Sequence, residues 1–122
     1  MRIPATKDVG WEKVDTYTAN TTYFSSGTVS LYVNKSEKKA RVVTDGDGLV
    51  AKAISGTNTT ITLCTLTTGY RPSDFTVGAA QCRNTDGIAS LYKNTVSDEL
   101  GILIPMAISN GTKTRGSIEW LY

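Results

Sequence analysis

The feature that most constrains this chain is its rhythm. Short runs rich in Thr, Val, Ile and Tyr are cut by Gly, Asn and Asp at intervals of roughly ten residues, the spacing of strands in an all-β sandwich or barrel. No segment carries apolar residues at helical spacing over three turns. The cleanest run is Thr28 to Val33, with Val29, Leu31 and Val33 on one face and Thr28, Ser30 and Tyr32 on the other. A charged turn at 34–38 and a return from Ala40 to Thr44 complete a hairpin. Asp45-Gly46-Asp47-Gly48 is a tight turn, because Asp-Gly accepts positive φ at low cost.

Further strands are expected at Trp11 to Ala19, Leu49 to Ile54, Thr59 to Leu66, Phe75 to Arg83, Ile88 to Asn94, Leu100 to Ile104 and Gly116 to Tyr122, about nine or ten in all. Asn20 to Gly27 reads as a loop. Apolar parity shifts within Thr59 to Leu66, where Ile61 and Leu63 share one face and Cys64 and Leu66 the other; a bulge or a doubly buried strand would explain it. The nearly continuous apolar run Leu100 to Ile104 must be covered on both faces, either centrally in the sandwich or against another subunit. In the last strand Ile118, Trp120 and Tyr122 share a face.

A chain of 122 residues makes one domain, here 10–122 after a polar lead-in at 1–9, and folding buries roughly two-thirds of its surface without a metal or disulfide staple. A formal charge of +2 argues against nucleic acid, and the basic group Lys35, Lys38, Lys39 and Arg41 is interrupted by Glu37 at a hairpin tip. The longest apolar stretch, Leu100 to Ile108, contains Gly101 and Pro105 and is too short for a membrane helix. Without an apolar run of secretory length, the expectation is a soluble chain made in a cytoplasm or cut from a longer protein, with no membrane insertion. Cys64 and Cys82 form no metal motif and read as small buried hydrophobes, although they could pair if their strands are neighbours.

The absence of histidine removes the usual general base, the Ser-His and Cys-His nucleophile pairs and the commonest metal ligand. Most carboxylates sit in turns, where Asp serves backbone geometry, and Asp45 to Gly48 lacks the later oxygen ligands of a calcium loop. The expectation is no enzyme activity, no metal and no cofactor. The ten aromatics are the remaining asset. Tyr32 lies on the polar face of its strand, Tyr23 and Phe24 sit in the loop before Gly27, and Tyr92, sharing a face with Ile88, reads as core. Exposed aromatics beside polar side chains form sugar-binding surfaces, since a flat apolar ring stacks on the sugar while polar groups bond its hydroxyls. The candidate ligand-binding residues are Tyr23, Phe24, Tyr32, Arg83, Asn84 and Asp86, with Lys93, Asn94 and Asp98 near the next turn.

Leu66-Thr67-Thr68-Gly69-Tyr70-Arg71-Pro72-Ser73, followed by Asp86-Gly87-Ile88, Leu100 to Ile104 and Gly116 to Tyr122, resembles the C-terminal head domains of siphophage tail-fibre and baseplate receptor-binding proteins. The resemblance covers roughly residues 59–122. It implies an antiparallel, jelly-roll-like β-sandwich head, a homotrimer at the tail tip of a virion, other phage tail and baseplate proteins as partners, and host cell-wall or capsular polysaccharide as receptor. No binding residue carries over, because the binding loops differ between such heads. Tyr70, Arg71 and Pro72 are expected to be structural, with Arg71 bonded to turn carbonyls, Asp74 or Glu119. Two rival readings are a structural tail or baseplate subunit without receptor binding, and a carbohydrate-binding module of a secreted bacterial enzyme.

Overall fold

A computed structural model describes residues 10–83 and 87–122. Ten strands run in chain order as β1 (Trp11–Thr18), β2 (Phe24–Ser26), β3 (Thr28–Asn34), β4 (Lys39–Thr44), β5 (Leu49–Ala51), β6 (Thr59–Thr65), β7 (Thr76–Cys82), β8 (Ile88–Lys93), β9 (Glu99–Ile104) and β10 (Lys113–Leu121). All pairings are antiparallel, and no helix occurs among the described residues. The main path is β1-β3-β4-β10-β7-β8-β9-β6, with β5 pairing β10 and β2 pairing β5. This is the all-β, sandwich-like fold expected from the strand rhythm.

The sheet curls because β10 changes partners along its length. Ser117 to Leu121 pair with β4, whereas Lys113 to Gly116 pair with β5 on one side and β7 on the other. Strands that switch layers in this way form the corners of β-sandwiches. At the far side, edge strands β1 and β6 are drawn together by Asn20, whose backbone N–H donates to the Leu63 carbonyl (2.9 Å) and whose Nδ2 donates to the Thr62 carbonyl (2.9 Å). The core lies between the layers. Val29, Leu31, Val33, Ala40, Val42, Ile118 and Trp120 face Leu63, Ala80, Leu91, Leu100, Ile102 and Ile104, all buried.

The parity shift in β6 is a bulge, where the register with β9 slips between Thr62 and Cys64. Three strand assignments change. Phe24–Ser26, read as loop, is β2 and pairs with β5. β10 begins at Lys113, three residues before the expected Gly116. Leu49 to Ile54 shortens to β5, and Ile54 forms an isolated bridge to Ile108. Cys64 and Cys82 remain thiols, and burial pushes the Cys64 thiol up to about 12.

β8 reverses an expectation. Tyr92 and Ile88 do share a face, but it is the outer one: Ile88 is 62% exposed, and Ala89, Leu91 and Lys93 point inward. Lys93 is buried at the end of the sandwich because its Nζ caps backbone carbonyls, donating to Asn94 (3.2 Å) and Ser97. Burial lowers the Lys93 pKa, which neighbouring Asp98 partly counteracts.

The Gly-Tyr-Arg-Pro element closes this same end. Trp120 Nε1 donates to the Tyr70 carbonyl (2.6 Å), the Tyr70 ring meets Tyr122 edge-on at 5.2 Å, Pro72 is buried, and the Ser73 N–H donates to the Leu121 carbonyl (2.9 Å). Arg71 grips Asp98 with two hydrogen bonds (3.0 and 3.3 Å), in place of the expected Asp74 or Glu119. Leu66 N–H also donates to the Asp98 carbonyl (2.8 Å), so the element ties the start of β9 to the end of β10.

Candidate functional site

The outer face of β1, β3, β4 and β10 carries the most chemically differentiated surface among the described residues. The hairpin closing Asn34 against Lys39 fixes the register that sets Tyr32 opposite Arg41, and β10 sets Glu119 opposite Arg41 on its other side. Inward Leu31, Val33, Ala40, Val42, Ile118 and Trp120 leave Tyr32, Arg41 and Glu119 outward by simple alternation. Trp11 enters from β1, and Trp11, Tyr32, Arg41 and Val43 line a cleft of about 220 Å³.

Within this cleft the Arg41 guanidinium lies over the Trp11 ring, 4.3 Å from its centroid, in a cation–π contact. Its Nε donates to Glu119 Oε2 at 3.1 Å. Both partners of that ion pair are more than a third exposed, so the pair contributes little to stability and its hydrogen-bonding capacity faces solvent. The cleft therefore offers two aromatic rings, a planar five-donor cation and an adjoining carboxylate, with no net charge. Such a surface can stack on an apolar ring face while donating to and accepting from hydroxyl groups.

The neighbouring floor is rigid. Ser30, fully buried beside the cleft, donates to both oxygens of Asp45 (2.9 and 2.8 Å), and Thr28 Oγ1 donates to Asp45 Oδ2 (2.8 Å). The Asp45 carboxylate thus folds back over the sheet and serves its turn.

Of the residues singled out in the sequence, only Tyr32 lies in this cleft. Phe24 is a correction: at 1% exposure it belongs to the core, because the segment containing it forms β2 and turns the ring inward. Tyr23 is half-buried against the core, on the far side of β5, with its carbonyl accepting from Lys52 N–H at 2.8 Å. Arg83 is exposed and pairs with Asp47 (3.5 Å), remote from Tyr32 in strand order. Asn84 and Asp86 lie outside the described residues. Asp98 is engaged by Arg71, and Lys93 by backbone carbonyls, so neither presents a free polar group; the hydrogen bond from Arg71 holds the Asp98 carboxyl below the usual carboxylate range. The Asn94 side-chain oxygen is buried and accepts no hydrogen bond.

Sequence reading missed Trp11 and Arg41. A signal for Arg41 existed: with Val33 and Ala40 flanking a charged turn, the hairpin register itself places Tyr32 against Arg41.

A second concavity, about 370 Å³, lies on the outer face of the opposite layer, lined by Thr60, Phe75, Val77, Ser90, Tyr92 and Leu103. Phe75 and Tyr92 stack there with centroids 6.2 Å apart, and Tyr92 covers Gly101. Burial together with the nearby Glu99 raises the Tyr92 pKa, so its hydroxyl stays protonated. Its polar atoms are hydroxyls only, and its walls are mostly hydrocarbon. No protein-family model matches this chain, and no curated protein is significantly similar to it.

Proposed function

We propose that the domain is a saccharide-binding head of a phage tail receptor-binding protein, acting in host adhesion, and that the Trp11–Tyr32–Arg41 cleft holds the sugar. The observation that carries this reading is the pairing of two aromatic rings with an exposed, mutually bonded Arg41 and Glu119 on one rigid sheet face. An aromatic ring accepts the C–H face of a hexose, a guanidinium donates to adjacent hydroxyls, and a carboxylate accepts from them. Hydrolysis would need two carboxylates flanking the bond, whereas the carboxylate beside this cleft is Glu119, held by Arg41. Binding without turnover suits that set. The placement at a tail tip, in a virion, rests on the resemblance of the Gly69-Tyr70-Arg71-Pro72 element and the strands that follow it.

A shallow site of this kind binds one sugar epitope with Kd near about 1 mM, so adhesion requires repetition. The same reading therefore includes a homotrimer, with copies of this chain meeting through the uncharged Phe75, Val77, Tyr92 and Leu103 face. Several heads acting together raise avidity by about two to four orders of magnitude without new contacts.

Trp11 supplies the assay. Trp120 is 4% exposed and sealed in the core, so a saccharide-dependent change in tryptophan emission reports on Trp11. Titration with host envelope oligosaccharides should quench or shift that emission, and Trp11→Ala should abolish adhesion of multivalently displayed heads while leaving the fold intact. Undiminished adhesion by Trp11→Ala, or no binding to any host envelope under multivalent display, would remove this reading.

A further inference from the structure

The formal charge of the chain is small, but three cations gather at one turn. The turn at Asp45 to Gly48 presents Asp47 to three cations. Lys113 Nζ bonds Asp47 Oδ2 at 2.5 Å, and Arg83 Nη1 lies 3.5 Å from Asp47 Oδ1. Arg115 acts on the same carboxylate through space, and its stem packs on Gly48, where any Cβ would sit 2.6 Å from Arg115 Cγ. The hydrogen bond and charge of Lys113, with the charges of Arg83 and Arg115, hold the Asp47 carboxyl below the usual carboxylate range.

Register explains why the cations converge. Arg115 pairs with Gln81 across β10 and β7, and the Arg83 N–H donates to the Lys113 carbonyl at 2.8 Å, so Arg83 and Lys113 are neighbours across the ladder and Arg115 stands two residues along. Three cations thus surround the Asp47 carboxylate, which pairs directly with Lys113 and Arg83. Arg115 makes no side-chain hydrogen bond or ion pair among the described residues, so its five donors remain to be used.

This cluster and the aromatic cleft share a strand. Arg115, Ser117 and Glu119 are the exposed alternate positions of β10, and Ser117 pairs with Val43 of the cleft. At the usual rise of a strand, Arg115 stands about 13 Å along β10 from Glu119, about the length of two or three sugar units. We propose that Arg115, Arg83 and Lys113 form a second subsite, and that the ligand is an anionic glycan: one sugar ring stacks in the Trp11–Tyr32 cleft while a phosphate or carboxylate group further along the polymer lies against these cations. Arginine suits that role, because its planar fork matches both oxyanions with two parallel hydrogen bonds. This inference rests on the glycan-binding reading and gives it a ligand class.

The test compares three probes of matched length by tryptophan emission and calorimetry on the full chain: a neutral glucan, a hexose–hexuronate oligosaccharide, and a glycerol-phosphate polymer bearing hexose substituents. At least one anionic probe should bind about tenfold tighter than the glucan at low salt, and the preference should shrink as salt screens the charges. The double variant Arg83→Gln/Arg115→Gln should remove that preference and leave glucan binding unchanged within about twofold. Which anionic probe prevails separates carboxylate from phosphate. Arg83 and Arg115 are exposed and Lys113 is half-buried, so a thermal melt matching the parent confirms folding, and Lys113→Gln gives an independent second variant. Equal affinity for all three probes, or a preference that survives the double variant, overturns the subsite while leaving the cleft in place. A single-stranded oligonucleotide that binds through the arginines with no dependence on Trp11 overturns it too, in favour of nucleic acid. Loss of Trp11 dependence for every glycan strikes the underlying reading instead.

Discussion

Gly78→Ala should be strongly destabilising, because the added methyl group would clash with a neighbouring backbone. Gly78 lies where β10 leaves β7 to join the other layer. A Cβ at that position would sit 2.3 Å from the Ser117 carbonyl oxygen, 2.8 Å from Ile118 Cβ and 2.9 Å from Ile118 Cα. Its own backbone is not in the left-handed region, so the penalty is steric alone. Ordinary contact requires roughly 3.5 Å, so the two strands must separate by about 1 Å at this point. Side-chain rotation gives no relief, because two of the three nearest atoms belong to the β10 backbone. Overpacking of this kind typically costs 1–3 kcal/mol, and a clash with backbone belongs at the upper end, about 3 kcal/mol. For a domain of this size that lowers Tm by about 10 °C or more in a calorimetric or circular-dichroism melt. Gly56→Ala is the control: the nearest atom to its added Cβ is Thr59 Oγ1 at 3.5 Å, and it should be neutral or slightly stabilising. Gly101→Ala lies between, since its Cβ would meet the Tyr92 ring at 2.2 Å and that ring can swing outward. If Gly78→Ala melted within about 1 kcal/mol of the parent, the crossing of β10 over β7 would be wrong as described.

Acid unfolding should depend on Asp98. The Arg71 hydrogen bonds depress its folded pKa, so their stabilisation is present above the unfolded carboxylate value of about 3.9 and is lost as pH falls through the lower folded value; Asp98→Asn should flatten the stability profile in that window, read by denaturant melts between about pH 2 and 5. Lys93→Met should destabilise by about 1–3 kcal/mol at pH 7, because the Asn94 and Ser97 carbonyls lose their donor. The folded Lys93 pKa is depressed, so the parent should gain stability relative to Lys93→Met as pH rises from that folded value towards about 10.5, and a gain of the opposite sign would contradict the burial of the amine. Buried Cys82 should react with a thiol reagent at pH 8 only as fast as the domain opens, and half-buried Cys64 should react far more slowly than a free thiol because its pKa is raised.

Alternation made most of the fold readable, and its failures have a common cause. Val29, Leu31 and Val33 turned inward as their spacing required, and the parity slip at Cys64 marked a real bulge. β8 went the other way because its two faces are nearly balanced in sequence: Ile88 and Tyr92 compete with Ala89 and Leu91, and a lysine at the third inward position argues against the true choice. The decision came from the turn at 94–98, whose carbonyls satisfy the Lys93 amine, and from Gly101, whose missing side chain admits the Tyr92 ring. Neither fact is local to β8. The strand at Phe24–Ser26 was hidden for the same reason, since so short an element exists only through its pairing with β5.

The cleft was written in a pairing rather than in a motif. Tyr32 and Arg41 are nine positions apart with nothing between them that signals binding; they meet because the buried Asn34 builds the turn from within. Its Oδ1 accepts from Ser36 Oγ (2.9 Å) and Glu37 N–H (3.2 Å), while its Nδ2 donates to Glu37 Oε2 (2.8 Å). A turn held at three points admits one register, and one register sends Tyr32 and Arg41 outward together while Leu31 and Val42 meet inside. Trp11 and Glu119 then arrive from chain ends more than a hundred residues apart, each delivered by a strand whose other face is needed for the core. The same burial that fixes the inward residues of β3, β4 and β10 thereby fixes the outward ones, so the site needs no loop of its own to hold its geometry.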